Sequence, residues 1–298
     1  MLTVHLSDNE HVGRGECYPY ARYGESLDSV SEQIFAIEAE LKNGISREML
    51  GQLMPAGAAR NALDCALWDL EAKNRGVPVW RLAGLSEPST ITTAYTLSLD
   101  TPEAMHASAA EHATRPLLKI KLGSAGDLDR LRAVRSGAPD ATLIVDANEG
   151  WSASDYDELA PVMLELGVSM VEQPLPQSND DELAGRDRPL PVCADESCHD
   201  VASLDALVGK YDMINIKLDK TGGLTEALAL KKAAIEKGFD VMVGCMVTSS
   251  LAMAPAMLVA HEVSVADLDG PLLLAEDRDP AVTYRGSVME PAPAALWG

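Results

Sequence analysis

Short apolar segments recur along the chain from residue 90 onwards, and stretches of helical length separate them. The eight segments read TITTAYTLSL, LLKIKLG, TLIVDAN, SMVEQP, PVCADES, MINIKLD, DVMVGCM and SVADLDG. Strands that alternate with helices pair in parallel through right-handed crossovers, and eight of them favour a closed barrel over an open sheet. The pattern therefore predicts an α/β fold, a TIM-like (β/α) barrel, over residues 90–270.

The first 89 residues follow a different pattern. The segment SLDSVSEQIFAIEAELK, residues 26–42, places four apolar residues on one helical stripe: Val30, Ile34, Ile37 and Leu41. A second helix is expected over residues 58–74, where Trp68 shares a face with leucines and is predicted to be a core residue. After a short strand-like start, these helices predict a smaller α+β domain over residues 1–89 that caps the barrel. The Pro-rich residues 271–298 are expected to be irregular and to complete this domain.

A polar or charged residue stands near the end of seven of the apolar segments. Successive members are 22 to 28 residues apart, about one βα unit: Lys121, Asp146, Glu172, Asp195, Lys217, Cys245 and Asp267. A single charged residue at a strand end is usually a solvated rim group. Barrel enzymes, however, build their active sites at the carboxyl ends of the strands. Seven such residues in register therefore predict an active site at the mouth of the barrel.

Three of these residues are carboxylates on consecutive strands. Asp146, Glu172 and Asp195 are expected to converge, and without a cation they would repel one another strongly. An all-oxygen site that leaves positions open for water and substrate suits Mg2+. We therefore predict that the three residues bind Mg2+.

Lysines flank the carboxylates on both sides. Lys119 and Lys121 share one face of the strand before the carboxylates, because side chains alternate along a strand, and Lys217 follows them. A metal bound to a substrate carboxylate acidifies the α-carbon, since the cation stabilises the enediolate formed when the proton leaves. Two lysines on opposite faces of the substrate can remove that proton from one side and return it on the other. This layout predicts inversion of a stereocentre.

Composition narrows the classes of partner. The chain has 24 basic and 46 acidic residues, a net charge of −22, which argues against nucleic acid and anionic membranes as partners. No apolar run approaches the length that spans a bilayer, and the start MLTVHLSDNE lacks the pattern of a secretion signal. Five cysteines without a C-x-x-C pair indicate reduced thiols. We expect a cytoplasmic protein with a small-molecule substrate.

At these residues the chain resembles the enolase superfamily, in the muconate-lactonizing-enzyme subgroup, through KIK, DAN, EQP, DES and IKLDKTGG. It is more closely similar to the family of L-Ala-D/L-Glu dipeptide epimerases. The segments that carry this likeness are GECYPYARYGES, MPAGAARNALDCALWDL, CADESCH, NIKLDKTGGLTEALAL and ADLDG. The resemblance implies a Mg2+-dependent isomerase that inverts the α-carbon of the C-terminal residue of a dipeptide.

The resemblance also implies a role for individual residues. It makes Lys121 and Lys217 the acid/base pair. The implied metal ligands are Asp146, Glu172 and Asp195, and the implied substrate contacts are Thr96, Lys119, Cys245, Asp267 and Asp269. In these epimerases the last two hold the ammonium group of the dipeptide. Beside the metal ligands, Asn148 and Glu196 are hypothesised to orient them.

The chain departs from this family at its start. The resembling proteins have a further strand and a mobile lid loop before the point that matches GRGE, residues 13–16. We expect either that Met1 is an internal start and the native chain is longer, or that the capping domain lacks both elements and works with an open cap. The alternating Leu2, Val4 and Leu6 would then form an edge strand without its usual partner. A subunit contact would cover that edge, so a homo-oligomer is expected, together with a broadened side-chain preference.

Other functions remain open alternatives. An N-acylamino-acid racemase or an o-succinylbenzoate synthase of the same subgroup would share the lysines and carboxylates, but neither has a use for Asp267 and Asp269 as an ammonium site. A Schiff-base aldolase would need a lysine on a late strand, and the carboxylate triad argues against it. A folded but inactive binding protein is an alternative of a different class.

Overall fold

The computed structural model describes residues 1–8 and 10–298, and its N-terminal part is a small α+β domain. Two antiparallel strands lie against helices, and their inner faces share one apolar core. The elements are β1 (Leu2–Ser7), β2 (Val12–Cys17), α1 (Leu27–Ala36), α2 (Glu38–Lys42), α3 (Arg47–Leu53), α4 (Ala58–Arg75) and α5 (Val79–Leu82). Within the described residues β1 pairs with β2 alone, so it is an edge strand, as predicted. The homo-oligomer expected from that edge stays a prediction.

The prediction of one helix over residues 26–42 is wrong. Ser26 caps the first helix by accepting a hydrogen bond from the backbone of Ser29, but the helix stops at Ile37, whose φ of −110° and ψ of 19° are not helical. Ile34, Ile37 and Leu41 nevertheless pack on the same apolar core on both sides of the break. The apolar stripe therefore continues across the break. The second predicted helix is confirmed as α4.

The chain from residue 91 onwards forms a barrel surrounded by helices. The strands of this part of the chain are β3 (Ile91–Thr92), β4 (Tyr95–Leu97), β5 (Leu117–Lys121), β6 (Thr142–Asp146), β7 (Val168–Glu172), β8 (Val192–Ala194), β9 (Met213–Ile216), β10 (Asp240–Gly244), β11 (Val265–Asp267), β12 (Tyr284–Arg285) and β13 (Val288–Met289). Its helices are α6 (Pro102–Glu111), α7 (Asp127–Gly137), α8 (Ala153–Glu165), α9 (Leu204–Leu207), α10 (Leu218–Thr221), α11 (Leu224–Glu236) and α12 (Ser250–Ala260). Short 3-10 turns lie at Ala21–Tyr23, Gln177–Leu183, Val201–Ser203 and Gly270–Leu273.

The predicted barrel is confirmed. Strands β4 to β11 pair in chain order as one parallel sheet of eight strands. A parallel bridge between Thr93 and Ala266 joins the two ends of that sheet, and the Ala94 N–H donates to the Ala266 carbonyl over 2.8 Å. Among the described helices, none combines the length and the apolar character needed to cross a bilayer.

The tail after residue 270 is more regular than the sequence indicates. Strands β12 and β13 form a short hairpin, and β13 pairs with β3, just before the amino end of the first barrel strand. Met289 is fully buried in this arrangement. Most of the tail is irregular, as predicted, but this hairpin was not foreseen, because its partner strand lies almost 200 residues earlier in the chain, where local patterning cannot reveal it. The domain limits at residues 89 and 270 stay a prediction.

The N-terminal domain is fastened over the mouth of the barrel by buried polar contacts. Glu16, at the end of β2, has a fully buried side chain and accepts hydrogen bonds from both the backbone and the hydroxyl of Ser249, each 2.8 Å long. Arg278 pairs with the same carboxylate. On the other side, Asp64 of α4 accepts hydrogen bonds from the backbone and the hydroxyl of Thr225, in the first turn of α11. The domain therefore contacts the segments that follow the carboxyl ends of β9 and β10.

Strand β2 lies unusually close to helix α4. A side chain added at Gly15 would place its Cβ 2.0 Å from the Ala62 carbonyl oxygen, and one added at Gly13 would lie 2.2 Å from the Ala66 carbonyl oxygen. Small residues on both elements therefore allow the backbones to touch. This contact sets the position of Glu16 relative to the barrel.

We predict that Gly15→Ala lowers the free energy of unfolding by about 1–3 kcal/mol, because the new methyl group must displace backbone rather than a flexible side chain. The matched control is Gly51→Ala in α3, where no atom lies within 4 Å of the added Cβ. This control should be neutral or slightly stabilising. Urea unfolding of the three proteins measures the effect. Equal stability of Gly15→Ala and the wild type would contradict the close packing of β2 on α4.

A second prediction concerns pH. Asp219, in α10, accepts hydrogen bonds on Oδ1 from the backbone of Tyr18 and from the side chain of Asn61. Burial raises the pKa of Asp219 to about 7, against which these two hydrogen bonds act. Because the pKa of Asp219 is higher in the folded state than in the unfolded state, the folded protein holds this proton more tightly. The resulting stability is fully present below the unfolded pKa and is lost as pH rises through about 7.

Asp219→Asn should remove this pH dependence, because the amide oxygen keeps both hydrogen bonds and the side chain carries no charge. Relative to the wild type, the variant should gain about 2 kcal/mol of unfolding free energy between pH 5 and pH 8. Denaturant titrations at the two pH values measure the gain. The control is Asp129→Asn, at an exposed position. If the unfolding free energy of Asp219→Asn changes between pH 5 and pH 8 as much as that of the wild type, the buried-acid assignment is refuted.

Candidate active site

The three predicted metal ligands lie together at the carboxyl ends of adjacent strands. Asp146 ends β6, Glu172 ends β7, and these two residues are paired in the sheet register. Asp195 follows β8 directly. All three are buried, with exposed fractions of 0, 0 and 2%. Their position follows from the parallel barrel, which brings consecutive strand ends to one rim.

The two lysines of β5 face these carboxylates. The Lys119 ammonium nitrogen lies 2.7 Å from Glu172 Oε2, 2.8 Å from Asp267 Oδ2 and 3.0 Å from Asp146 Oδ2. Lys121 is more exposed, and its Nζ lies 2.6 Å from Asp146 Oδ2. Lys119 therefore lies among three carboxylates, whereas Lys121 lies at one edge of the row.

The opposite edge of the row belongs to Lys217, which follows β9. Its Nζ donates to Asp195 Oδ2 over 2.6 Å. Sequence reasoning missed a second cation here, Lys220, whose Nζ donates to Asp195 Oδ1 over 2.6 Å and to the Asn215 carbonyl over 2.9 Å. The only signal for it was the second lysine of KLDK, which the short helix α10 turns back towards the site.

The predicted substrate contacts gather on the remaining side of the mouth. The backbone N–H of Thr96, in β4, donates to Asp269 Oδ2 over 2.7 Å. Asp267 ends β11 and is held by Lys119. Cys245 is half-buried just after β10, and burial, then the nearby Asp267 and Asp269, raises the pKa of its thiol. The structure thus brings all the predicted site residues to one rim.

Amide side chains orient the charged groups. The Asn148 side-chain oxygen accepts a hydrogen bond from Lys121 over 3.0 Å, and its backbone N–H donates to Asp146 Oδ1 over 2.9 Å. Its amide nitrogen lies 3.5 Å from Glu196 Oε1. Asn215, which the sequence did not single out, donates from its side chain to Glu172 Oε1 over 2.7 Å. Asn148 therefore holds Asp146 through its backbone, and Asn215 holds Glu172 through its side-chain amide.

The site contains more acidic than basic groups. Its carboxyl groups are Asp146, Glu172, Asp195, Glu196, Asp267 and Asp269, and its lysines are Lys119, Lys121, Lys217 and Lys220. Six carboxyl groups against four ammonium groups leave two negative charges without a partner. The pKa of Glu172 and that of Glu196 are each raised to about 7, first by burial and then by the neighbouring carboxylates.

The paired groups shift in the opposite direction. Burial alone would raise the pKa of Asp146, but Lys119 and Lys121 hold it below its usual range. In the same way, Lys217 and Lys220 outweigh burial and lower the pKa of Asp195. Burial would lower the pKa of Lys119 and of Lys217, but the surrounding carboxylates hold both well above the usual value. Both lysines are therefore ammonium groups in this arrangement.

The donor set fits a divalent cation. Glu172 Oε2, Glu196 Oε2 and Asp267 Oδ1 are buried and receive no aligned hydrogen bond, although Lys119 lies 2.7 Å from the first of them. The missing charge equals that of one Mg2+, and carboxylate oxygens are its preferred ligands. Among residues 1–8 and 10–298, no three acidic, histidine or cysteine side chains are already drawn into one metal-ligand cluster. Here each of the three carboxylates is paired with an ammonium group instead.

Comparison with known proteins places the chain in a family. Residues 1–84 match the Mandelate racemase / muconate lactonizing enzyme, N-terminal domain family, and residues 102–288 match the Enolase C-terminal domain-like family. One solved structure is 52% identical to this chain in sequence and superimposes with a TM-score of 0.97. It is an enolase family member from Agrobacterium tumefaciens with homology to dipeptide epimerases, and it contains bound sodium and L-Ala-L-Glu. The match covers 99% of this chain and 91% of that one.

Two relatives of known activity are similar over most of their length. The L-Ala-D/L-Glu epimerase of Escherichia coli (strain K12) is 49% identical over 286 residues, which are 95% of this chain and 89% of that protein. The N-acetyl-D-glutamate racemase of a Pseudoalteromonas species is 45% identical over 302 residues, which cover 100% of this chain and 95% of the relative. With both family matches and these identities, the chain belongs to the mandelate racemase/muconate lactonizing enzyme family of the enolase superfamily.

Proposed function

We propose that this protein is a Mg2+-dependent dipeptide epimerase of the L-Ala-D/L-Glu type. It inverts the α-carbon of the C-terminal residue: one lysine removes the α-proton, and a second lysine donates a proton to the opposite face. The relatives described above are an epimerase and a racemase, which favours isomerase chemistry over a Schiff-base aldolase or an inactive binding protein. Solved dipeptide epimerases from Cytophaga hutchinsonii and Enterococcus faecalis are complexed with Mg and a dipeptide.

One observation carries the proposal: Lys121 and Lys217 lie at opposite ends of the row of three carboxylates. Each ammonium nitrogen is 2.6 Å from the outer carboxylate on its side, Asp146 for the first lysine and Asp195 for the second. A substrate bound across this row has one lysine on each face. Removal from one face and return on the other inverts the configuration, which a single base cannot do without turning the substrate.

The proton count requires the two lysines to start in different states. One must be uncharged to accept the α-proton, and the other must be an ammonium group that donates to the opposite face. After one turnover the two have exchanged protonation states, and solvent exchange restores them. The carboxylates that now raise the pKa of Lys217 must therefore be engaged elsewhere during the reaction. Asp146, Glu172 and Asp195 would hold Mg2+, which when bound takes up these carboxylates and stabilises the negative charge left on the substrate carboxylate.

The remaining acidic pair suits the free amino end of a dipeptide. Asp267 and Asp269 are buried on the far side of Lys119. The Thr96 backbone N–H holds Asp269. An ammonium group placed between these carboxylates would gain charge-assisted hydrogen bonds.

A second candidate substrate is N-acetylglutamate. It is favoured by the racemase relative, whose match covers this whole chain. N-acetylglutamate and Ala-Glu share an acylated glutamate, so the same two-lysine chemistry serves both. They differ in the amino end, because only the dipeptide carries an ammonium group. The acidic pair is therefore the discriminating feature.

The proposal also covers the cellular compartment, the oligomeric state and the class of partner. All five cysteines are free thiols, which fits a reducing compartment such as the cytoplasm. The edge of β1 suits a contact between subunits, so we include a homo-oligomer. Predominantly acidic composition favours a small-molecule partner over nucleic acid.

The two lysines can be separated by isotope exchange in D2O with Mg2+ and Ala-Glu. Lys121→Ala and Lys217→Ala should each reduce epimerisation by at least about 10²-fold, because a general base is lost. Each variant should still exchange the α-proton of one epimer, and the two should retain opposite epimers. Mass spectrometry of L-Ala-L-Glu and L-Ala-D-Glu measures the exchange. Equal residual exchange of both epimers in both variants would exclude the two-base assignment.

Asp269→Asn should distinguish the two substrates. The amide oxygen keeps the hydrogen bond from Thr96, but the charged partner of the substrate ammonium is lost. We expect kcat/KM for L-Ala-L-Glu to fall about 10- to 100-fold at pH 8, whereas kcat/KM for N-acetyl-L-glutamate should hardly change. Polarimetry follows both reactions. A wild-type protein that racemises N-acetylglutamate faster than it epimerises Ala-Glu would favour the second candidate.

A further inference from the structure

Gln173 has an unusual backbone next to a metal-ligand candidate. It follows Glu172 and adopts a φ of 35°, in the left-handed region that few residues other than glycine, asparagine and aspartate enter. Its side chain is fully buried. Such a conformation costs free energy and persists only where surrounding contacts hold it. Several of those contacts lead to the chain around the end of the neighbouring strand, β8.

The amide oxygen of Gln173 reaches across to the chain that follows β8. It accepts hydrogen bonds from the backbone N–H of Asp195 over 2.9 Å and from that of Ser197 over 3.2 Å. The backbone N–H of Gln173 also donates to the Cys193 carbonyl over 2.8 Å. One residue therefore joins the position after Glu172 to Asp195 itself.

The amide nitrogen is anchored on the outer side. It lies 2.9 Å from Ser197 Oγ, 2.9 Å from the Tyr211 hydroxyl and 3.0 Å from the Leu175 carbonyl. Since the oxygen faces backbone donors and the nitrogen faces these acceptors, the orientation of the amide is determined by its surroundings.

The hydroxyl groups of Ser197 and Tyr211 are held in turn by a buried ion pair. They donate to Asp180 Oδ2 over 2.7 and 3.1 Å. Lys210 donates to Asp180 Oδ1 over 2.6 Å. Both members of the pair are buried. The Gln173 amide thus lies between a rigid polar network and two carboxylates that repel each other.

We propose that Gln173 is a positioning residue that sets the spacing of Glu172 and Asp195 for the divalent cation. The inference rests on the proposed function, because it assumes that these carboxylates bind Mg2+. The amide acts through the backbone of Asp195 and through the strained backbone after Glu172, and it does not touch the substrate. It adds to the backbone pairing of β7 with β8, which ends at Glu172 and Cys193, a direct connection to the residue that carries the second carboxylate.

The test is Mg2+ binding to the full-length protein, measured by isothermal titration calorimetry without substrate. Gln173→Met keeps the size of the side chain and removes all its hydrogen bonds. We expect its Kd for Mg2+ to rise about 10- to 100-fold, as is typical when the support of a metal ligand is lost. The matched control is Gln177→Met, four residues later and exposed, whose Kd should equal that of the wild type. Saturating Mg2+ should restore most of the kcat of Gln173→Met.

Milder variants cover the case in which Gln173→Met fails to fold. Tyr211→Phe and Ser197→Ala each remove one anchor of the amide and should weaken Mg2+ binding by less than about tenfold. Circular dichroism checks the fold of each protein. If Gln173→Met folds and binds Mg2+ with the Kd of the wild type, this inference is overturned while the proposed function stands. An unchanged Kd in both milder variants has the same consequence. A wild-type protein that does not bind Mg2+ overturns the inference together with the metal dependence of the proposed function.

Discussion

The excess of buried negative charge at the barrel mouth is the constraint on which the rest of the site depends. Six carboxyl groups and four lysines share this rim, and most of them are almost completely buried. Unpaired buried charges are costly, so the arrangement is stable only if each carboxylate has a cationic partner. The lysines supply part of that charge, and a divalent cation would supply the rest. This need explains why the pKa of Glu172 and that of Glu196 are raised to about 7.

Such a site needs rigid support, and the support comes from the backbone as much as from side chains. Asn148 and Gln173, both with positive φ, lie just after metal-ligand candidates on adjacent strands. The Asn148 amide contacts the charged Lys121, whereas the Gln173 amide oxygen accepts from the backbone of Asp195. Lys220 and Asn215 hold Asp195 and Glu172 from below. Backbone strain is tolerated here because several hydrogen bonds oppose it at each residue. Of the four non-glycine residues with positive φ among the described residues, three lie at the rim where the chemistry occurs: Asn148, Glu149 and Gln173.

The N-terminal domain acts on the same rim from outside. Its contacts through Glu16, Asp64 and Asn61 end on the loops after β9 and β10, close to Lys217 and Cys245. Buried carboxylates of this domain therefore fix loops that belong to the barrel. The domain is held by hydrogen bonds of defined geometry, and the close approach of β2 to α4 at Gly15 sets where those bonds can form. Its position and the geometry of the site are coupled.

The sequence by itself determined the barrel, the strand ends and the chemical character of the site. Each of these depends on local features, since alternation, segment length and the polar residue at a strand end are visible within a few residues. It also indicated Asn148 and Glu196, which adjoin metal-ligand candidates. Only the tertiary structure decided the roles of Gln173, Asn215 and Lys220, because their partners lie 22 to 43 residues away along the chain. It likewise decided the break at Ile37 and the hairpin of β12 and β13, since packing on distant elements outweighs local preference there.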